Sequence, residues 1–589
     1  MSTERLPRLR HILLALALFL CASLLTGTGA KSKQEAAAGR MGEVVDWSRR
    51  HILYPQGASL RALALSQHDP RAYWNYLKIV RAANTARAQE AEAAQARDDD
   101  AGQARSRDRI GEDAANRPVD TLPGRVLRKG PKRAHQAHVD WSLPLGLAGM
   151  AADMFPAKYS FDVNATPDCT NDYLVFTIDT VPSVTQANIV AYNNLYSGSA
   201  GGTGICGAGT ATPYWAYQVS NVALPTSPII SLDGTKVAFV DGANPAVFHV
   251  LTWTAGGTVT APATPTVIAN VTLTGATTDT LSSPFMDYNN DIAYVGSDNG
   301  RLFKITGVFR GVPTLAGKPW PRKVGTGIIT SPVIDFSTGE IFAGSSDGNL
   351  YGFTKGGAEF FPISIGDGTA DGGIVDGPIV DVVNGLLYVA TGSDFTVANA
   401  SLSQVNTASF TQVQDTPIGT SGVANIHDGA FNDAYFSSGT SSQWFFYVCG
   451  TNTGGPTSPV LYRVGFDGTR LMNAATDATT VTLSANNGEQ CSPLTELKNG
   501  VDRIFLGLLT SAQVEFFDVS TNPGPTLGGT GAVAPVAEAG GTSGIIVDNV
   551  SASNQASSIY FSTLANSANC AVAGVNMHCA VKLTQGGLQ

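Results

Sequence analysis

Along residues 139–583 the apolar residues come in short runs separated by Gly, Ser, Thr, Asn and Asp. Runs of that length, bounded by turn formers, read as β-strands. One pattern is spelled twice. Ser283-Pro284-Phe285-Met286-Asp287 leads through Ala293-Tyr294-Val295-Gly296-Ser297 to Asn299-Gly300-Arg301-Leu302-Phe303. Ser331-Pro332-Val333-Ile334-Asp335 leads through Phe342-Ala343-Gly344-Ser345 to Asp347-Gly348-Asn349-Leu350-Tyr351. The two stretches align without a gap 48 residues apart, a spacing typical of propeller blades and solenoid repeats.

Each repeat predicts an antiparallel meander. Proline begins the first strand, where no ladder donor is needed. Asn-Gly or Asp-Gly then makes a tight turn with positive φ. A glycine after the second strand is expected where neighbouring backbones crowd. Such a meander cannot bury both faces alone, but copies arranged around an axis can. The expected fold class is therefore all-β, a β-propeller of eight blades, or seven if the first unit is not a full blade. After an innermost strand from Tyr159, units are expected at Tyr173–Val219, from Ser227, Ser283, Ser331, Gly377, Gly429 and Ser492, and from Gly544 to Leu583. The last unit runs out after three strands, while Val139–Leu143 precedes the first. Pairing these two would close the ring and remove an open edge.

The region before the propeller has a different composition. Residues 1–30 predict a secretory signal: Arg5, Arg8 and Arg10, an apolar core from Ile12 to Leu25, then Gly27-Thr28-Gly29-Ala30. Residues 31–95 predict a helical segment, with Asp69-Pro70 as a helix start and Tyr73, Trp74, Leu77 and Val80 as its apolar stripe. Residues 96–135 are charged and poor in aromatic residues, and predict a disordered linker. Residues 136–589 make the propeller. Charge follows the same division: residues 31–135 carry 20 Lys and Arg against 13 Asp and Glu, whereas residues 136–589 carry 14 against 33. An acidic propeller is a poor partner for nucleic acid, which needs clustered cations.

Apart from Cys21 in the signal there are six cysteines: Cys169, Cys206, Cys449, Cys491, Cys570 and Cys579. An even number in an exported chain favours disulfides, with 15 connectivities open. Joining neighbours in sequence would close one blade or link adjacent blades. These features predict a secreted or periplasmic protein with no membrane span after signal cleavage, and a monomer.

The repeat resembles the pyrroloquinoline-quinone-like (quinoprotein-like) propeller repeat, on the motif Ser-Pro-x-x-Asp, Tyr-Val-Gly-Ser, Asp/Asn-Gly-x-Leu-Tyr/Phe. Its wording also resembles a group of exported bacterial propeller proteins, on Pro156-Ala157-Lys158-Tyr159-Ser160-Phe161-Asp162-Val163-Asn164-Ala165-Thr166-Pro167, Tyr294–Gly300 and Leu461-Tyr462-Arg463-Val464-Gly465-Phe466. The resemblance implies the fold and no particular activity, since one propeller architecture hosts many functions. Quinone enzymes of this kind would be expected to show an adjacent cysteine pair and tryptophans recurring at one repeat position. This chain has neither, so no quinone cofactor is expected.

Motifs for a nucleophile elbow, a zinc helix or a phosphate loop are absent. The best candidate site is Asp376, His427 and Asp428, which stand just before the inner strands of the fifth and sixth units. Neighbouring loops would gather them at the channel mouth, where two carboxylates and an imidazole suit a divalent cation or a sugar hydroxyl. The competing use is turn capping by Asp before Gly. His249 reads as a satisfied strand histidine, His578 as a loop residue, and Asp298 and Asp347 as turn residues. The expected function is non-catalytic binding of a protein or glycan by the ring face or channel mouth. A quinone- or metal-dependent oxidoreductase, or a hydrolase or lyase using the channel-mouth acids, is the alternative.

Overall fold

The computed structural model describes residues 42–54, 64–71 and 137–585, the last with gaps at 163–165, 200–202, 277–281, 370–372, 397–398, 423–425, 438–439, 455–456, 479, 500, 521–535 and 550–554. The predicted signal at 1–30 and the linker at 96–135 lie outside the described residues.

Eight antiparallel sheets form the blades of a β-propeller. Their innermost strands are Ala157–Ser160, Ile229–Ile230, Phe285–Asp287, Val333–Asp335, Ile379–Asp381, Ala430–Phe431, Thr495–Asn499 and Ile546–Asn549, which number blades 1 to 8. The ring closes as the pattern predicts. Ala137–Gly146 is the outermost strand of blade 8 and pairs antiparallel with Val575–Gln585, with Val139 opposite Leu583 and Leu143 opposite Ala580.

The repeat motif has two structural uses. The first concerns serine. Ser283 donates its N–H to the Ser331 hydroxyl at 2.7 Å, Ser227 to that of Ser283 at 2.9 Å, and Phe155 to that of Ser227 at 2.9 Å. These bonds tie blades 1 to 4 together at the start of each inner strand, where proline has already removed one donor. The second concerns glycine. A Cβ on Gly296 would lie 2.6 Å from the Ile329 carbonyl of the next blade's approach. Gly348 ends its turn at φ 80°.

Three disulfides pair neighbours in sequence. Cys169–Cys206 staples loops of blade 1, Cys449–Cys491 ties blade 6 to the approach to blade 7, and Cys570–Cys579 locks a hairpin of blade 8.

Residues 42–54 depart from the helical expectation. Glu43–Val45 is a strand added to the inner edge of blade 1, with Val44 opposite Tyr159. Trp47–Arg50 is one turn of 3-10 helix. Ile52–Leu53 then pairs in parallel with the inner strand of blade 5. Blades 1 and 5 are opposite members of an eight-membered ring, so this segment crosses the central channel. The reason is tertiary: inner strands leave unpaired edges along the channel, and a buried edge must find a partner. Trp47 is buried, donates its indole N–H to the Pro284 carbonyl at 3.0 Å and meets Phe285 edge to face.

A second short stretch, residues 64–71, packs beside it. Pro70 and Arg71 are helical, and the Asp69 carboxylate accepts the Arg71 N–H at 3.1 Å, as the predicted helix start requires. Tyr73, Trp74, Leu77 and Val80 lie outside the described residues. The Arg71 guanidinium is buried between Asp46, at 2.8 Å, and Asp69, at 3.1 Å, and lies over the Tyr288 ring of blade 3.

Candidate functional site

The loops into blades 5 and 6 bring Asp376, His427 and Asp428 together. The Asp376 carboxylate accepts from His427 Nδ1 at 3.1 Å and from the Asp428 N–H at 2.8 Å. What the group holds here is the chain's own inserted segment. Arg50 Nη2 donates to the carbonyl oxygens of Asp428 at 3.2 Å and Gly429 at 3.0 Å. His51 Nδ1 stands 3.3 Å from the Asp428 carboxyl. His51, His427 and Asp428 are buried. Asp376 therefore serves as a turn-capping acceptor and an ion-pair partner at once.

Burial and neighbours divide the charges. Burial disfavours an ionised Asp376, but the His427 imidazolium and the hydrogen bonds it accepts outweigh that and hold it at about 2. For His427, burial is overcome by Asp376 and the pKa is raised. Asp428 has no such cation bonded to its carboxyl; burial, then repulsion from Asp376, pushes it well above the carboxylate range. Burial and Arg50 push His51 down to about 3. Burial lifts nearby Asp153 to about 6. Where the insert meets the ring, burial thus favours the neutral forms of His51 and Asp428, whereas Asp376 and His427 favour each other's charged forms.

Sequence reasoning placed the three residues at one end of the channel but missed Arg50 and His51. The signal was the run Arg49-Arg50-His51 beside Trp47, which helical spacing alone does not connect to blades 5 and 6. The remaining singled-out residues have structural partners. His249 sits between Asp241 and Asn270, each at 2.8 Å. His578 Nδ1 is 2.9 Å from the Thr563 carbonyl. Asp347 accepts the Asn349 N–H at 3.1 Å, which is turn chemistry. Among the described residues, no group of three His, Cys, Asp or Glu side chains is placed to hold a metal ion. No described helix is long and apolar enough to cross a membrane.

The insert fills only the side of the channel that faces blades 1, 3 and 5. Against blades 6 to 8 it leaves a cavity of about 410 Å³. One wall is the insert, through Glu43, Val45, Arg49, Arg50 and Leu53; the other is formed by 429–433, 494–498 and 545–548. No described strand pairs with the inner edge of Thr495–Asn499. Gly429, Leu494 and Ile545, which immediately precede their inner strands, are buried, whereas Asp433, Phe436 and Lys498, towards the other ends, are partly or largely exposed. The cavity therefore opens at that second end and is closed by Phe155 and Arg50 at the first. Glu496 in its wall is near Asp502; burial, then the Asp502 charge, raises Glu496 well above its usual range, and burial lifts Asp502 to about 6.

Comparisons with known proteins give a likeness to solved structures alone. No family model matches the chain, and neither does any curated protein. Among solved structures it is similar to BamB from Moraxella catarrhalis, at 11% identity over 76% of this chain and 97% of that one, with a TM-score of 0.42. Sqt1 from Saccharomyces cerevisiae matches at 9% identity over 76% and 98%, with a TM-score of 0.44. Sqt1 from Chaetomium thermophilum matches at 12% over 75% and 95%, with a TM-score of 0.43.

Proposed function

We propose that this is an exported, non-catalytic binding protein whose central channel holds a short extended segment of a partner polypeptide. The observation that carries the reading is the behaviour of the inner edges. Two of them already take up extended chain, blade 1 antiparallel and blade 5 parallel. A third, Thr495–Asn499, borders the cavity. Strand addition supplies affinity through main-chain bonds, and pockets for alternate side chains supply specificity. Phe155, Phe431, Leu494 and Leu497 provide such apolar surface. The three disulfides fit an oxidising, extracytoplasmic location. The experiment is selection of a random peptide pool on the full-length protein, followed by hydrogen exchange. Bound peptide is expected to slow exchange of amides in 495–499. Unchanged exchange there would remove this reading in favour of a ring-face or glycan site.

One observation favours a second reading, a hydrolase: Glu496 in the cavity wall and its neighbour Asp502 are both raised above the usual carboxylate range. Paired carboxyls with raised pKa values are an established acid–base device. Glu496→Gln abolishing hydrolysis of a glycan or peptide substrate, without lowering Tm, would support it.

A further inference from the structure

We propose that the cavity recognises the free C-terminal carboxylate of the bound segment, with Arg50 as its anchor. This rests on the reading of the channel as a peptide site. Most cations around the cavity have a carboxylate partner. Arg49 pairs with Glu43 at 2.8 Å, Arg71 with Asp46 at 2.8 Å, Lys158 with Asp548 at 3.1 Å and Lys498 with Asp433 at 2.5 Å. Arg50 differs from all of them. Its Nη2 is spent on two carbonyl oxygens, its Nη1 has no hydrogen-bond partner, and among the described residues it forms no ion pair with a carboxylate. The nearest acids are otherwise engaged: Asp376 holds His427, and the Asp428 carboxyl faces His51. Asp428 and Asp376 act on the Arg50 charge only through space, and a guanidinium partly withdrawn from water without a bonded anion is costly. A carboxylate supplies a direct counter-charge and an acceptor for the guanidinium's remaining donors.

Position decides which carboxylate. Arg50 stands at the closed end, beside Gly429 and over the Phe155 ring at 5.2 Å. A chain entering past Lys498 and laid along 495–499 has no exit there, so it must end. The carboxylate of a chain terminus meets that requirement; an internal Asp or Glu would need room for the chain to turn back. Leu494 and Ile545 line the same end, and Leu497 the wall that leads to it. The ligand class is therefore a short extended peptide whose last residues are apolar and whose α-carboxylate is free.

The test uses the full chain and a pool of random pentapeptides made in two forms, free acid and C-terminal amide. Retained peptides are identified by mass spectrometry and their affinities measured by anisotropy. Free acids are expected to bind about 10- to 100-fold tighter than their amides, the worth of a charge-assisted hydrogen bond. Arg50→Gln is expected to erase the difference, and Leu497→Trp, which fills the cavity, to abolish binding of both forms. Melting temperatures check that each variant folds, and the acid–amide comparison needs no variant. Equal binding of acids and amides, with loss in Leu497→Trp, would overturn the carboxylate anchor and leave the peptide reading standing. No retention of either form, or retention unaffected by Leu497→Trp, would overturn the peptide reading itself.

Discussion

The ammonium of Lys158 stands 3.1 Å from the carboxylate of Asp548, and neither side chain is exposed. The two belong to the inner strands of blades 1 and 8, so the pair spans the seam where the ring closes. Ser160 accepts a further bond from Lys158 at 2.6 Å. Breaking a buried pair from one side leaves an uncompensated charge, at a cost of about 3–5 kcal/mol. Lys158→Met is therefore expected to lower stability by that order in chemical denaturation. A double variant with Asp548→Leu is expected to recover part of the loss. If the single variant melts like the parent, the seam is held by its strand pairing alone.

The Asp376–His427 pair predicts a pH dependence of known sign. Asp376 titrates at about 2 when folded, below its ordinary 3.8. Its contribution is present above pH 4 and is lost as pH falls from about 4 to 2. His427 is raised above 6.5, so its contribution is present at low pH and lost as pH rises through the folded value. Asp153 works in the opposite direction to Asp376: it is lifted to about 6, so folding loses stability as pH rises from about 4 to 6. Asp376→Asn is expected to lower stability at neutral pH and to flatten the urea midpoint between pH 4 and 2. An unchanged acid limb would show that other carboxylates control it.

Trp47 holds the insert in the channel, and Trp47→Ala is expected to cost about 3–5 kcal/mol as a buried aromatic truncation. Hydrogen exchange provides a local readout. The Val380 N–H donates to the His51 carbonyl at 2.8 Å and the Val382 N–H to that of Leu53 at 3.1 Å. Both amides are expected to exchange faster in the variant. Parental exchange rates would mean that the insert is held elsewhere.

The disulfides predict that the protein carries no free thiol among its six propeller cysteines, checked by intact mass after alkylation with and without reductant. Cys449→Ser with Cys491→Ser removes a bridge across 42 residues, worth about 4 kcal/mol by loop entropy. The bridge of separation 9 in blade 8 is worth about 2.5 kcal/mol by the same relation. A larger loss from the shorter loop would point to an effect on the hairpin itself.

Much of this architecture is written in local pattern. The Ser-Pro starts, the glycines at 296 and 348 and the Asn-Gly and Asp-Gly turns act within one blade or on its nearest neighbour, so each can be read from a stretch of chain about one repeat long. The ring closure was legible for a similar reason: an orphan strand at 139–143 matched a unit one strand short. Asp376, His427 and Asp428 could be placed together because inner-strand starts occupy equivalent positions in adjacent blades. The occupant of those side chains could not be read in the same way. Strands of three and two residues, Glu43–Val45 and Ile52–Leu53, carry no period, and the edges they complete come into being only when eight sheets surround a channel. The same holds for the cavity and for the solitary Arg50. Local chemistry determined the blades, whereas the shape of the space they enclose, and which cation in it lacks a bonded carboxylate, was decided by contacts between residues hundreds of positions apart.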